Sequence, residues 1–219
     1  ITLGIMTLIF GGLFYFRDSK INYPLINFKM FKIKTFTFVN IAVMTSYMCM
    51  FTNGILLPLF LQEIVKYNAF LTGLLILPYS IASSAVAPFA GSYAGKNGSR
   101  GLTIAGPCIY ILALVIFTTF NPSTPMWEIV LASVIMGIGN GCFQSPSNNA
   151  IITCVNKDEL GIASGILSLS RNLGNILGVA VTITLFDSFR NLLIEEGTKY
   201  QTAFLTSYHW TMCFGIAFG

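Results

Sequence analysis

The sequence predicts an all-α integral membrane protein, and three observations carry that prediction. The first is composition. Only 9% of the 219 residues are charged, 54% are hydrophobic, and the mean hydropathy is +0.74. Soluble domains carry about 25% charged residues, so 12 basic and 8 acidic side chains cannot cover a globule of this length. An ordinary soluble domain, a disordered chain, a collagen-like fibre and a nucleic-acid binder are excluded. The second is spacing. No Asp, Glu, Lys or Arg lies between Lys34 and Glu63, Lys66 and Lys96, Arg100 and Glu128, or Glu128 and Lys157. Each gap exceeds the ~20 residues a helix needs to cross a bilayer. The third is the absence of period-2 alternation in these runs, which excludes barrel strands and leaves helices.

Taken in order, the apolar runs predict spans at 1–16, 36–62, 70–93, 101–120, 128–150, 160–186 and 203–219. The first is short and is read as the end of a spanning helix. Residues 17–35 form a basic linker. The span 160–186 holds a single charge, Arg171. Lys and Arg set the orientation. One set of loops carries Arg17, Lys20, Lys29, Lys32, Lys34, Lys96, Arg100 and Lys157, against Lys66, Arg190 and Lys199 in the other. The linker 17–35 is therefore predicted to be cytoplasmic. The six spans from 36 to 219 divide as three plus three, and an odd number per group gives the two groups opposite topology, the pattern of inverted repeats in secondary transporters.

Nothing in the chain calls for a metal, a cofactor or enzymatic catalysis. Its five cysteines have no CxxC spacing, and His209 is the only histidine. The most informative single residue is Arg171, roughly 15 Å along its helix. A charge at that depth costs several kcal/mol unless it faces the bundle or a water cavity. Ser164, Ser168, Arg171, Asn175, Gly178 and Thr182 fall on one stripe at helical spacing. Arg171 reads either as a partner for a carboxylate or carbonyl near a transport path, or as a side chain that snorkels toward the cytoplasm. Two further stripes suit a cavity for flat amphipathic molecules: Asn40, Met44, Tyr47, Phe51 and Pro58, and Asn140, Gln144 and Asn148 with Phe143 adjacent. The same Met and aromatic groups would equally fill helix interfaces or face lipid. The glycine pairs Gly137/Gly141, Gly161/Gly165 and Gly174/Gly178 have the spacing that lets membrane helices approach closely.

The loop holding Gly91, Gly95, Lys96, Gly98 and Arg100 resembles the short cytoplasmic loop signature of the major facilitator superfamily. Where that pattern customarily has an acid, Gly95 stands, so no loop charge relay is carried over. The runs 24–36, 57–62, 71–78, 137–146 and 161–178 are similar, in order and spacing, to the linker and to the ninth, tenth, twelfth and thirteenth helices of its 14-spanner drug:proton antiporters. The resemblance implies that 36–219 is the carboxy-terminal six-helix half of such a transporter, two inverted three-helix repeats preceded by the end of an eighth helix. The amino-terminal half, with most coupling carboxylates, would be a partner outside this sequence. The implied activity is proton-coupled export of amphipathic drugs or toxic compounds across a bacterial cell membrane by alternating access. It places Asn40, Met44, Tyr47, Phe51, Asn140, Phe143, Gln144 and Asn148 at the substrate, and Arg171, Ser168 and Asn175 in coupling or packing. Alternatives are a facilitator for another solute (a sugar, amino acid or siderophore), a channel, or a structural membrane subunit.

Overall fold

The structure, a computed structural model, describes Met6 and residues 28–218. The predicted span 1–16, Met6 apart, and residues 17–27 of the linker lie outside the described residues. Six long helices follow: α1 (Lys34–Leu59), α2 (Ala69–Asn97), α3 (Arg100–Phe117), α4 (Met126–Cys154), α5 (Leu160–Glu195) and α6 (Tyr200–Phe218). The described residues contain no strand. A short 3₁₀ turn, Phe28–Lys32, precedes α1 and buries Met30 at 1% exposure against Phe36 and its apolar neighbours. Five of the helices are long and apolar enough to cross a membrane. The exception is α6, whose buried face carries hydroxyls. Ser207 and Thr211 each donate to the carbonyl four residues back (2.8 and 2.7 Å), which removes the cost of burying them.

Helix ends differ from the hydropathy limits where local chemistry overrides polarity. The helix that holds the predicted span 160–186 continues to Glu195. Charge does not break a helix, and here it helps: Asp187 and Arg190 pair at 2.8 Å, one turn apart. The helix stops at Gly197, whose φ of 82° supplies the left-handed residue that ends a helix. The predicted loop 94–100 contracts to Gly98 and Ser99, because α2 runs to Asn97 and Gly98 turns at φ 88°. At the other end of the bundle α1 passes Pro58, widens into a π-helical turn over Phe60–Ile64 and leaves through Lys66 at φ 65°.

The helix contacts carry the three-plus-three division into space. In the first triplet, α1 packs on α5 and α6; in the second, α4 packs on α2 and α3. The leading helix of each triplet therefore lies against the trailing pair of the other. Close approach is bought by glycine at both seams. A Cβ at Gly174 or Gly178 of α5 would overlap the Met44 or Met48 carbonyl of α1. On α4, Gly137 and Gly141 meet the α2 backbone at Tyr79 and Ser83, and Gly139 meets the α3 backbone at Tyr110. The third predicted pair closes no seam among the described residues, none of which, the local helix backbone aside, stands within 4 Å of a Cβ built at Gly161 or Gly165. Two apolar cores result. The one toward the π-turn stacks Phe60 on Tyr208 at 5.1 Å and sets Phe186 edge-on to Phe204 at 4.9 Å. The other gathers Met30, Phe36, Phe143, Ile151 and Leu167 at the basic end.

Candidate substrate-facing cluster

Four of the predicted site residues meet from three helices. Gln144 and Asn148 stand one turn apart on α4 and share a face. Tyr47 opposes them from α1, and Gln144 Nε2 donates to Tyr47 Oη at 3.0 Å. From α5, Arg171 Nη2 donates to Asn148 Oδ1, and the guanidinium carbon lies 5.8 Å from the Tyr47 ring centre. The guanidinium is thus held by an amide and an aromatic face. No carboxylate neutralises it: the single ion pair among the described residues is Asp187–Arg190. Its own Nε is buried without a partner, and so is Asn175 Oδ1, one turn further along α5. Such orphans cost about 1–3 kcal/mol each. They mark where an additional polar group would be welcome.

The other predicted residues are distributed around this cluster. Asn40 is buried in the α1–α5 seam, where its Nδ2 donates to Phe36 O (2.8 Å) and its Oδ1 accepts from Ser170 (2.9 Å). Asn140 Nδ2 donates to Ser83 Oγ at 2.9 Å and ties α4 to α2. Phe143 is 4% exposed in the core at the basic end, against the backbone at Gly106. Met44 is half-buried, with its carbonyl against Gly174. Phe51 lines an apolar groove of about 700 Å³ with Asn53, Pro58, Tyr79 and Met136. Ser168, with Ser164, is exposed on the face of α5 turned away from α1 and stands apart from Arg171's partners. Gly91 approaches Ser145 of α4, while Gly95, Lys96, Gly98 and Arg100 are exposed at the basic end.

Several participants are absent from the predicted stripes. Ser170 is one, and the stripe that faces α1 is Ser170, Gly174, Gly178 and Thr182, at intervals of four. Thr182 Oγ1 and Thr52 Oγ1 lie 2.9 Å apart across that seam. On α2, Tyr79 and Ser83 are also one turn apart, a spacing visible in the sequence; Tyr79 lines the groove and Ser83 bonds Asn140. Asn53 donates to Met136 Sδ at 3.0 Å beside Phe51. The described residues hold no group of three or more His, Cys, Asp or Glu able to bind a metal.

The chain matches the family model described as Major Facilitator Superfamily over residues 1–179 and again over 39–218. It is 28% identical over 200 residues to the riboflavin transporter RibZ of Clostridioides difficile, covering 91% of this chain and 43% of that protein. It is 28% identical over 200 residues to the lincomycin resistance protein LmrB of Listeria monocytogenes, covering 90% and 42%. The multidrug resistance protein Stp of Mycobacterium tuberculosis is 26% identical over 184 residues, covering 84% and 34%. The chain thus spans less than half the length of these curated relatives. With an all-helical bundle, five membrane-length helices and a family match that runs nearly end to end, the chain belongs to the major facilitator superfamily.

Proposed function

We propose that this chain is the carboxy-terminal half of a proton-coupled exporter of amphipathic compounds, working by alternating access. The observation that carries the reading is the Tyr47–Gln144–Asn148–Arg171 cluster, with its two unpartnered buried atoms at Arg171 and Asn175. An aromatic ring, two amides and a cation give a flat amphipathic molecule a stacking face and several hydrogen-bond partners at once. The neighbouring apolar groove at Phe51 and Met136 accepts its greasy part. The names of LmrB and Stp support drug export. Protons would enter through carboxylates of the amino-terminal half, since no acid stands by Arg171 among the described residues. Arg171 would then compete between Asn148 and a carboxylate of that half as the two halves rock.

The test is energised efflux of a cationic dye and of lincomycin by the intact transporter in cells, with and without a protonophore. Arg171→Lys is expected to retain about a tenth or more of the rate. Arg171→Ala is expected to lose a hundredfold at equal membrane expression, about 2.7 kcal/mol. Full transport by the Ala variant would remove Arg171 from coupling. Protonophore-insensitive efflux would remove proton drive. RibZ favours a second reading, in which the substrate is a vitamin or another nutrient. Uptake or export of radiolabelled riboflavin in the same cells, with no effect on the drugs, would decide for it.

A further inference from the structure

We propose that the basic end of the bundle carries a binding site for an anionic phospholipid between the first turns of α1 and α3. Its phosphate would lie between Lys34 and Arg100, and its acyl chains over Phe38 and Ile104. An open groove of about 890 Å³ separates these two helices, which make at most marginal contact, and Ala150 of α4 lies at its floor. Lys34 and Arg100 are both exposed and line it, and neither has an acidic partner among the described residues. Among the described residues, no acid lines the groove.

What selects a lipid over a soluble anion is the next turn of each helix. Four residues beyond each cation, on the same face, stands a large apolar side chain: Phe38, 69% exposed, and Ile104, 61% exposed. A cation at the helix start and bare hydrocarbon one turn deeper, repeated on two adjacent helices, match the headgroup and chains of a phospholipid in both charge and depth. Basic pockets between membrane helices recognise anionic headgroups in this way. Both helices also begin here without a side-chain cap, so their positive ends add to the field of the two cations. The inference needs only that the helices sit in a bilayer; it does not rest on the proposed substrate or on proton coupling.

The experiment titrates the intact, delipidated protein in detergent with phosphatidylglycerol or phosphatidylcholine and counts bound lipid by native mass spectrometry. One phosphatidylglycerol is expected to bind saturably and more tightly than phosphatidylcholine. Lys34→Gln with Arg100→Gln should weaken it about 25-fold, roughly fivefold per cation. Lys66→Gln with Lys199→Gln, at the opposite end, should leave it unchanged. Lys34→Arg with Arg100→Lys should restore it, which separates charge from a folding defect. Excess inorganic phosphate should fail to displace it, and Phe38→Ala should weaken it. Four outcomes would overturn the site: equal affinity for the two lipids, equal loss in both charge-pair variants, displacement by inorganic phosphate, or no saturable binding because the other half of the transporter covers the groove.

Discussion

Gly174 and Gly178 set how near α5 can come to α1, and so how near Arg171 comes to Tyr47. Their neighbours are backbone carbonyls, which cannot rotate away as a side chain can. Gly178→Val is therefore expected to cost about 1–3 kcal/mol of stability, the range for overpacking. Gly165→Ala should be neutral or stabilising by up to about 1 kcal/mol, because its Cβ meets none of the described residues and alanine is the better helix former. Denaturant unfolding in detergent distinguishes the two, and equal effects would refute the close-contact assignment. At this scale the sequence revealed residue types but not partners. Arg171 stands out in it as the one charge in the interior of a predicted span. That its guanidinium is held by Asn148 and Tyr47 depends on three helices whose relative rotation no single stripe encodes. Ser168 and Ser170 show the same limit. The two hydroxyls are two positions apart, about 200° around the helix, and only packing decides that Ser170 turns to Asn40 while Ser168 turns outward.

Among elements, the α1–α5 seam is held by small residues and by few polar links, chiefly Ser170–Asn40 and Thr182–Thr52. Hydrogen bonds between membrane helices contribute about 0.6 kcal/mol on average. Thr52→Val or Thr182→Val alone should cost about 1 kcal/mol, since each leaves a buried hydroxyl short of its partner. The double substitution should cost less than the sum of the two. A strictly additive result in the unfolding cycle would mean that the two hydroxyls do not couple. Element limits were legible wherever a charge or a turn residue marked water. At α5 the helix runs on past the predicted span, because hydropathy reports the solvent around a segment and not its backbone conformation. The 36-residue helix passes through Asp187 and Arg190 without a break.

For the whole molecule, the basic bias of one end predicts which face looks into the cell. In a cysteine-free background of the intact protein, Ser123→Cys is expected to react with a membrane-impermeant maleimide in whole cells. Gly95→Cys should react only after permeabilisation. Labelling of both from outside would reject the orientation, and with it the assignment of Lys96 and Arg100 to the cytoplasm. The exchange of partners between triplets, α1 onto α5 and α6 while α4 lies on α2 and α3, is the spatial form of the three-plus-three count. It leaves α1 and α4 meeting at the centre, where Tyr47 finds Gln144.

The sequence by itself determined that this protein lives in a membrane, that helices cross it, about where they begin, and that Arg171 needs company. Those conclusions follow from transfer energies and repeat lengths, which act along the chain and need no fold. Only the tertiary structure decided which faces meet, that Asn40 and Asn140 join helices, that Gly161 and Gly165 touch none of the other described helices closely, and that Lys34 and Arg100 share a groove. The reason is physical: contacts between helices depend on the angle through which each is rotated about its own axis. That angle is set jointly by all the neighbours it must fit.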